Sequence, residues 1–124
     1  NKFCWQAVFG QPLTVWRTAL HQRRPYLDLA DALSAVFFFI DQGRIDGRIY
    51  NIVTRNLTVA DIIAMIETHI PAPAIDYVEN EIMNQLSYEV SSRRVQDLGW
   101  RAAGSLEDSV AATIALLSKA GGRP

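Results

Sequence analysis

The chain has 124 residues, of which 49% are hydrophobic and 20% charged, and this composition is typical of one soluble globular domain with its own hydrophobic core. A formal net charge of -1 argues against a strongly basic nucleic-acid-binding protein, and the single cysteine, Cys4, excludes an intrachain disulfide and a cysteine-based zinc site. The densest apolar run, Ala35 to Ile40, is far shorter than the roughly 20 residues of a membrane-spanning helix, so we expect a cytoplasmic protein with no membrane and no nucleic-acid partner.

The chain is predicted to open on a helix that is followed by two short strands. The segment from Lys2 to Phe9 is apolar and stops at Gly10, as the end of a helix does. Because Asn1 falls within this helical pattern, we expect the chain to be part of a longer polypeptide. Leu13 to Trp16 is a β-prone run, and Pro25 to Leu29 alternates as a half-buried strand does.

A second helix is predicted after the second strand. We expect Asp31 to open this helix, because a carboxylate is stabilised at the positive end of the helix dipole, and Gly43 to end it. Its apolar residues follow the three-four spacing of a helix face: Leu33, Val36, Phe37 and Ile40. Because Phe37, Phe38 and Phe39 point around more than one face, we expect the helix to be buried between layers.

Strands and helices are predicted to alternate in the second half. The nearly continuous apolar run from Ile49 to Val53 indicates a strand that is covered on both faces. Thr58 and Asp61 form a capping-box pattern at the start of an apolar helix. Ala74 to Val78 is a further predicted strand, and Tyr88 to Val90 is a weaker one.

Two helices are predicted to close the chain, a short one from about Ser92 and a longer one in which Ser105 and Asp108 repeat the capping pattern. The predicted order is helix, strand, strand, helix, strand, helix, strand, helix, helix. Alternation in the middle of the chain predicts an α/β fold with about five helices and at least one parallel strand pair. Since no linker divides the chain, we expect residues 1–124 to form one domain.

The common catalytic and metal-binding motifs are missing from the sequence. No nucleophile motif accompanies His21 or His69, and we expect both of these side chains at the surface. Neither a glycine-rich dinucleotide motif nor a phosphate-binding loop is present, and we expect no metal site. Asp28 and Asp31 could form an acid–base pair, but at a junction between a strand and a helix we expect them to cap the helix.

Arginine is the most informative charged residue type. Ten arginines accompany two lysines, and a planar guanidinium can bind phosphate through two hydrogen bonds. Arg23 and Arg24 lie just before a predicted strand, whereas Arg55 and Asn56 follow the Ile49–Val53 strand, at the end where α/β sheets bind ligands. The alternative, that these arginines lie in solvent or pair with Asp28, Asp31 and Asp61, stays open.

Four motifs occur in a fixed order along the chain. Gly10 to Trp16 fits Gly-x-Pro-Leu-x-Val, and Arg24 to Asp31 fits Arg-Asp-Tyr-Ile-His-Val-x-Asp except at Pro25 and Asp28. The third motif is Tyr-Asn-Ile, at Tyr50 to Ile52, followed by the start of a capped helix at Thr58 to Asp61. The fourth motif is Leu-Gly-Trp, at Leu98 to Trp100, followed by Ser-Leu-Glu at Ser105 to Glu107. With these motifs the chain resembles the C-terminal half of the extended short-chain dehydrogenases/reductases, the NAD-dependent nucleotide-sugar epimerases and dehydratases.

The resemblance implies that residues 1–124 form a substrate-binding domain and that the Rossmann half, which binds NAD and carries a catalytic Tyr-x-x-x-Lys pair, is absent from this sequence. The four tyrosines lack a lysine four residues further on: Tyr26, Tyr50, Tyr77 and Tyr88. We therefore expect no catalytic residue, no NAD site and no turnover in this segment alone. The resemblance leaves a homodimer open for the intact enzyme.

The resemblance also implies a substrate site. Arg24 would contact the diphosphate of a nucleotide sugar, and Leu13 to Trp16 would line the nucleotide base. We expect Arg24, Trp16, Val15 and Tyr26 to be the substrate-binding residues. A Trp16 ring can stack on a base, although a position in the core is an equal alternative. Three departures suggest a different substrate: a glycine and a histidine of the family are replaced by Arg17 and Asp28, and a second diphosphate-binding arginine is missing from the region 78–85.

We therefore expect the substrate-binding part of an NAD-dependent nucleotide-sugar epimerase/dehydratase. The alternative is a non-catalytic module of the same fold that binds a ligand or another protein. Asp28 and the missing second arginine favour the binding module, whereas Arg24 and Tyr26 favour the enzyme.

Overall fold

The computed structural model describes residues 2–43, 46–79 and 87–121, which form an α/β fold. The elements in chain order are α1 (Lys2–Val8), β1 (Leu13–Trp16), β2 (Arg23–Tyr26), α2 (Leu29–Asp41), β3 (Arg55–Thr58), α3 (Val59–Glu67), β4 (Ile75–Val78), α4 (Arg93–Gln96) and α5 (Leu106–Ala120). One turn of 3₁₀ helix, Arg17–Ala19, connects β1 to β2. Within these residues the element order is the predicted one, and the five α-helices and a parallel strand pair confirm the predicted fold class.

The four strands form two separate two-stranded sheets. β1 pairs in parallel with β4, with Leu13 opposite Ile75, and this pairing requires a long crossover that here contains α2, β3 and α3. β2 pairs antiparallel with β3, with Arg24 opposite Leu57. Because β3 runs directly into α3, the second sheet ties β2 to the start of that helix.

The main hydrophobic core lies between β1 and the helices α1, α3 and α5. Leu13 and Val15 are fully buried, whereas Trp16 is 39% exposed, because side chains of a strand alternate between its two faces. The helices contribute the remaining buried side chains of this core: Cys4, Ala7, Val8, Ile63, Ile66 and Ile114.

Two of the predicted helix starts are confirmed by their capping hydrogen bonds. Thr58 Oγ1 accepts from the backbone N–H of Asp61, and Asp61 Oδ2 accepts from the backbone N–H of Thr58, which completes the capping box of α3. The backbone N–H and the hydroxyl of Thr58 both donate to Asp61 Oδ2, and these two hydrogen bonds hold the pKa of the Asp61 carboxyl below its ordinary value. At α5 the Ser105 hydroxyl oxygen accepts from Asp108 N–H at 3.1 Å.

The third predicted strand was placed in the wrong segment. Residues Ile49 to Val53 form no strand, and Ile49 is 79% exposed. The strand lies six residues later, at Arg55–Thr58, where the backbone of β2 supplies a hydrogen-bonding partner. The weak strand predicted at Tyr88 to Val90 is also wrong, and the second strand is Arg23–Tyr26 and not Pro25 to Leu29.

The apolar stripe predicted for α2 is real, but it faces outward. Leu33, Val36, Phe37 and Ile40 are more than half exposed, so the expected burial between layers is wrong for the part of the chain that the structure describes. The opposite side of α2 packs in a second, smaller core, where Ala35, Phe38 and Phe39 meet Val95 and Trp100.

The start of α2 also differs from the prediction. The helix begins at Leu29, two residues earlier than expected, because the Asp28 side chain caps it by accepting from the N–H groups of Ala30 and Asp31. Across the described ranges, no helix is both long enough and apolar enough to cross a membrane.

Candidate functional site

One cavity of about 830 Å³ lies where β1, β2 and the start of α2 face α5 and the beginning of α1. All four residues that the sequence assigned to substrate binding line it: Val15, Trp16, Arg24 and Tyr26. Apolar side chains of α3 and α5, such as Ile62 and Val110, complete much of the wall. The cavity therefore combines an apolar wall with a few polar groups, as small-molecule sites generally do.

Arg24 is the cationic side chain of β2 that reaches this cavity. Its Nη1 donates to the backbone carbonyl of Arg23 at 2.8 Å, and its Nη2 donates to Gln22 Oε1 at 2.7 Å. The guanidinium lies over the ring of Tyr88, with Cζ 4.9 Å from the ring centroid. These contacts fix the orientation of the guanidinium before any ligand arrives.

The aromatic residues of the cavity occupy two different environments. Trp16 stands at the end of β1 and is partly exposed, so the alternative that it is a core aromatic does not hold. Tyr26, at the end of β2, is half-buried, and burial raises the pKa of its hydroxyl against the opposing effect of the Arg24 charge. Both rings thus line the cavity, and Trp16 presents a surface on which a planar group can stack.

Asp28 lines the same cavity, but its carboxylate accepts hydrogen bonds from other groups of the protein. It accepts the two N–H groups that begin α2, and it also accepts the hydroxyl of Ser109 in α5. The hydrogen bond from Ser109 is the main cause that holds the pKa of Asp28 below its ordinary value, against the effect of burial. Asp28 is therefore a buried, ionised group that joins α2 to α5.

Asp31 plays a second structural role that the sequence reasoning missed. Its Oδ1 accepts from the backbone N–H groups of Ala103 and Gly104, both at 2.9 Å, and its Oδ2 accepts from the Thr54 hydroxyl at 2.6 Å. Neither Asp28 nor Asp31 is arranged as an acid–base pair, because each carboxylate is bound to donors of its own. In the sequence, the only sign of this role was an acidic residue, Asp31, close to the helix-capping Asp28. The sequence could not identify the donors, because Ala103 and Gly104 lie about 70 residues further along the chain.

The remaining arginines of interest pair with acidic groups away from the cavity. Arg55 Nη2 lies 2.6 Å from Glu107 Oε1, and Arg23 Nε lies 2.8 Å from Glu89 Oε1. Both arginines thus form ion pairs, but with glutamates and not with the aspartates that the sequence suggested. These pairs are about half-exposed, and such surface ion pairs contribute about 0–1 kcal/mol to stability. Arg17, which replaces the glycine of the family, stacks on Tyr77 and pairs with Glu79 at 2.9 Å.

Other sequence-based expectations concern histidines, metals and the second arginine. His21 and His69 are both exposed, as expected. Within residues 2–43, 46–79 and 87–121, no three side chains of His, Cys, Asp or Glu come together as a metal ion would require. Of the region 78–85, where a second arginine is missing, residues 80–85 lie outside the described residues.

Comparisons with known proteins found one similar protein sequence and several similar folds. No family model matches the chain. The chain is 28% identical over 117 residues to an Arabidopsis thaliana trifunctional UDP-glucose 4,6-dehydratase/UDP-4-keto-6-deoxy-D-glucose 3,5-epimerase/UDP-4-keto-L-rhamnose-reductase, an alignment that covers 91% of this chain. The chain spans 17% of the length of that relative.

Two solved structures illustrate the likeness in fold. A GalE-like L-threonine dehydrogenase from Cupriavidus necator, in its apo form, is 26% identical, with a TM-score of 0.75 over 94% of this chain and 44% of its own. A UDP-glucose 4-epimerase from Thermus thermophilus, in complex with NAD, is 17% identical, with a TM-score of 0.78 over 99% of this chain and 40% of its own. In both cases the chain spans less than half of the similar structure.

Proposed function

We propose that residues 1–124 form the substrate-binding part of an NAD-dependent nucleotide-sugar epimerase/dehydratase of the extended short-chain dehydrogenases/reductases. The similarity in sequence to a UDP-glucose 4,6-dehydratase and in fold to a UDP-glucose 4-epimerase supports this proposal. The observation that carries this proposal is the cavity of about 830 Å³ that brings Val15, Trp16, Arg24 and Tyr26 together. Two of the similar proteins, a UDP-glucose 4,6-dehydratase and a UDP-glucose 4-epimerase, are named for nucleotide sugars, and the chemistry of this cavity suits such a ligand. The intact enzyme would work in the cytoplasm.

Each polar or aromatic group of the cavity has a role in this proposal. The preoriented guanidinium of Arg24 binds a diphosphate through charge-assisted hydrogen bonds, and the exposed face of Trp16 stacks on the base. The apolar wall excludes water from the sugar. This chain thus binds and orients the substrate, while proton transfer belongs to residues outside this sequence.

NAD does not fit the residues of this chain by themselves. The described strand–helix junctions, at 26–29 and 58–59, carry no glycine-rich turn that would let a backbone approach a pyrophosphate. We therefore place NAD, which accepts and returns the hydride in such enzymes, on a Rossmann half outside these residues.

Two exposed apolar features support a further part of the enzyme beside this one. The outward stripe of α2, which includes Phe37 and Ile40, is too apolar for a helix that faces water. Ile49 is a second apolar side chain that faces outward, at 79% exposure. We propose that the Rossmann half covers both, and a homodimer of the intact enzyme stays a prediction.

A second candidate substrate is an α-amino acid. The solved L-threonine dehydrogenase is more similar to this chain, at 26% identity, than the epimerase at 17%. A guanidinium in the orientation of Arg24 binds a carboxylate as well as it binds a phosphate. The replacements at Arg17 and Asp28 depart from the nucleotide-sugar pattern and favour this candidate.

The two candidates are separated by one titration of the complete gene product in the presence of NAD. UDP-, dTDP- and GDP-sugars are compared with L-threonine by isothermal calorimetry, and NADH formation or nicotinamide fluorescence is followed in parallel. Binding of a nucleotide sugar supports the first candidate, and binding of L-threonine alone supports the second. Normal NAD binding without affinity for any of these ligands would exclude both candidates and favour a non-catalytic module.

A further inference from the structure

Tyr88 lies behind Arg24 without belonging to the cavity. Its ring centroid is 4.9 Å from Arg24 Cζ, whereas the cavity is lined by other residues of the described chain. The Tyr88 ring is half-exposed, so the contact is not a by-product of core packing. A ring that touches the binding residue, but not the space for the ligand, can influence that ligand only through Arg24.

The segment that carries Tyr88 is attached to the β2–β3 sheet at both of its ends. At one end, Arg23 N–H donates to Ser87 Oγ at 2.9 Å, and Tyr88 N–H donates to the Arg23 carbonyl at 3.3 Å. At the other end, the side-chain amide of Asn56 exchanges two hydrogen bonds with the backbone of Val90, at 2.9 and 3.0 Å. The backbone on either side of Tyr88 is therefore held in place against the strand that carries Arg24.

The guanidinium is consequently restrained in two directions. Hydrogen bonds to the Arg23 carbonyl and to Gln22 hold its Nη1 and Nη2 atoms, and the Tyr88 ring lies against the guanidinium, with its centroid 4.9 Å from Cζ. The orientation matters because phosphate and carboxylate groups are bound in the plane of the guanidinium.

We propose that Tyr88 is a positioning residue that holds the Arg24 guanidinium in the orientation that binds an anionic oxygen group in the cavity. The proposal rests on the proposed function, since it requires an anionic ligand at Arg24. The aromatic ring, and not the hydroxyl, does the positioning. The source of the anion, a diphosphate or a carboxylate, is distinguished by the two probes below.

The expected effect is moderate, because Tyr88 preorders a side chain that can still reach the ligand without it. Ordering a flexible side chain and losing an exposed cation–π contact each correspond to about a 2- to 10-fold change in affinity. We therefore expect Tyr88→Leu to weaken ligand binding about 3- to 20-fold. Tyr88→Phe retains the ring and should bind like the parent protein.

The experiment measures the Kd for UDP-glucose and for L-threonine in the complete gene product with NAD present. The variants are Tyr88→Leu and Tyr88→Phe, each made with Arg24 and with Arg24→Ala. Tyr77→Leu is the matched control, because it removes a similar contact, with Arg17 Cζ 4.8 Å from its ring, away from the cavity lining. The expected result is a loss for Tyr88→Leu only, and no further loss when Arg24 is already alanine.

Three results would overturn the proposal, and they are distinct. If neither probe binds the parent protein, the proposed function fails and the positioning role fails with it. If a probe binds and Tyr88→Leu binds equally well, only the positioning role fails. A loss that persists in the Arg24→Ala background also overturns it, because the effect would then not pass through Arg24.

A second measurement needs no ligand. In the free protein, the ring current of Tyr88 should shift the Arg24 Nε–H resonance upfield, and the shift should vanish in Tyr88→Leu and persist in Tyr88→Phe. Equal thermal unfolding of the three proteins shows that the fold is retained. An Arg24 resonance that is the same in all three proteins would contradict the contact on which the proposal stands.

Discussion

Gly104 lies against the side chain of Asp28 so closely that a Cβ atom at position 104 would stand 2.7 Å from Asp28 Cγ. The contact connects the loop before α5 to the N-cap of α2. The same loop donates the Gly104 N–H to Asp31 at 2.9 Å, so the loop and the helix start are joined through both carboxylates. The absence of a side chain at position 104 is therefore a packing requirement.

Gly104→Ala should destabilise the protein by about 1–3 kcal/mol, because a methyl group has to displace a carboxylate that three donors hold. Urea unfolding monitored by circular dichroism measures the change. Ala103→Ser, at the neighbouring exposed position, is the control and should be nearly neutral. A free energy of unfolding that is unchanged in Gly104→Ala would contradict the close packing of Gly104 on Asp28.

The stability of the fold should decrease in acid through Asp28. Hydrogen bonding, chiefly from Ser109, lowers the pKa of Asp28 in the folded state from its ordinary value of 3.8. At a pH between the two pKa values, Asp28 is protonated in the unfolded chain and ionised in the folded one. The contribution of Asp28 to the free energy of unfolding is therefore complete above about pH 4, and it is lost as the pH falls through the folded-state pKa. Asp61, whose pKa is lowered by Thr58, acts in the same sense.

The measurement is the free energy of unfolding between pH 2 and 7 for the parent chain and for Asp28→Asn. Asparagine still caps a helix, but it does not titrate, so the variant should be less stable near neutral pH and show a shallower decline below about pH 4. An identical pH profile for the two proteins would mean that Asp28 does not carry this dependence.

The two sides of α2 should respond differently to a polar substitution. Phe37 is 60% exposed, and Phe37→Ser should change the free energy of unfolding of the 124-residue chain by less than about 0.5 kcal/mol. Phe38 packs in the second core, and Phe38→Ser should cost about 2–4 kcal/mol. Denaturant unfolding of the Phe37→Ser and Phe38→Ser variants measures the difference. An equal loss of unfolding free energy in both variants would contradict the exposed position of the Phe37 stripe.

The sequence predicted the local structure better than it predicted which surfaces are buried. The strand Leu13–Trp16 and the capping box at Thr58 were found because turn residues and capping side chains act over a few neighbouring positions. The third strand was misplaced because the apolar run at Ile49 predicts burial, whereas a strand also needs a partner backbone, which β2 offers only to Arg55–Thr58.

The candidate site shows the same division between local and distant information. Arg24, Trp16, Val15 and Tyr26 were found by their resemblance to a family pattern, and the cavity brings them together. Tyr88 could not be found in this way, because its contact with Arg24 joins residues 64 positions apart along the chain and depends on how the segment folds back. Such contacts are set by tertiary structure and leave no local sequence signal.

Arg24 should account for much of the affinity for an anionic ligand. Arg24→Ala removes a charge-assisted contact worth about 1.5–3 kcal/mol, which corresponds to about a 10- to 150-fold increase in Kd by isothermal calorimetry on the complete gene product. Arg24→Lys should recover part of the loss, because lysine keeps the charge but not the planar pair of donors. Arg55→Ala is the matched control: Arg55 pairs with Glu107 and does not line the cavity, so its removal should leave the Kd unchanged. Equal affinities of the parent and Arg24→Ala would remove Arg24 from the binding site.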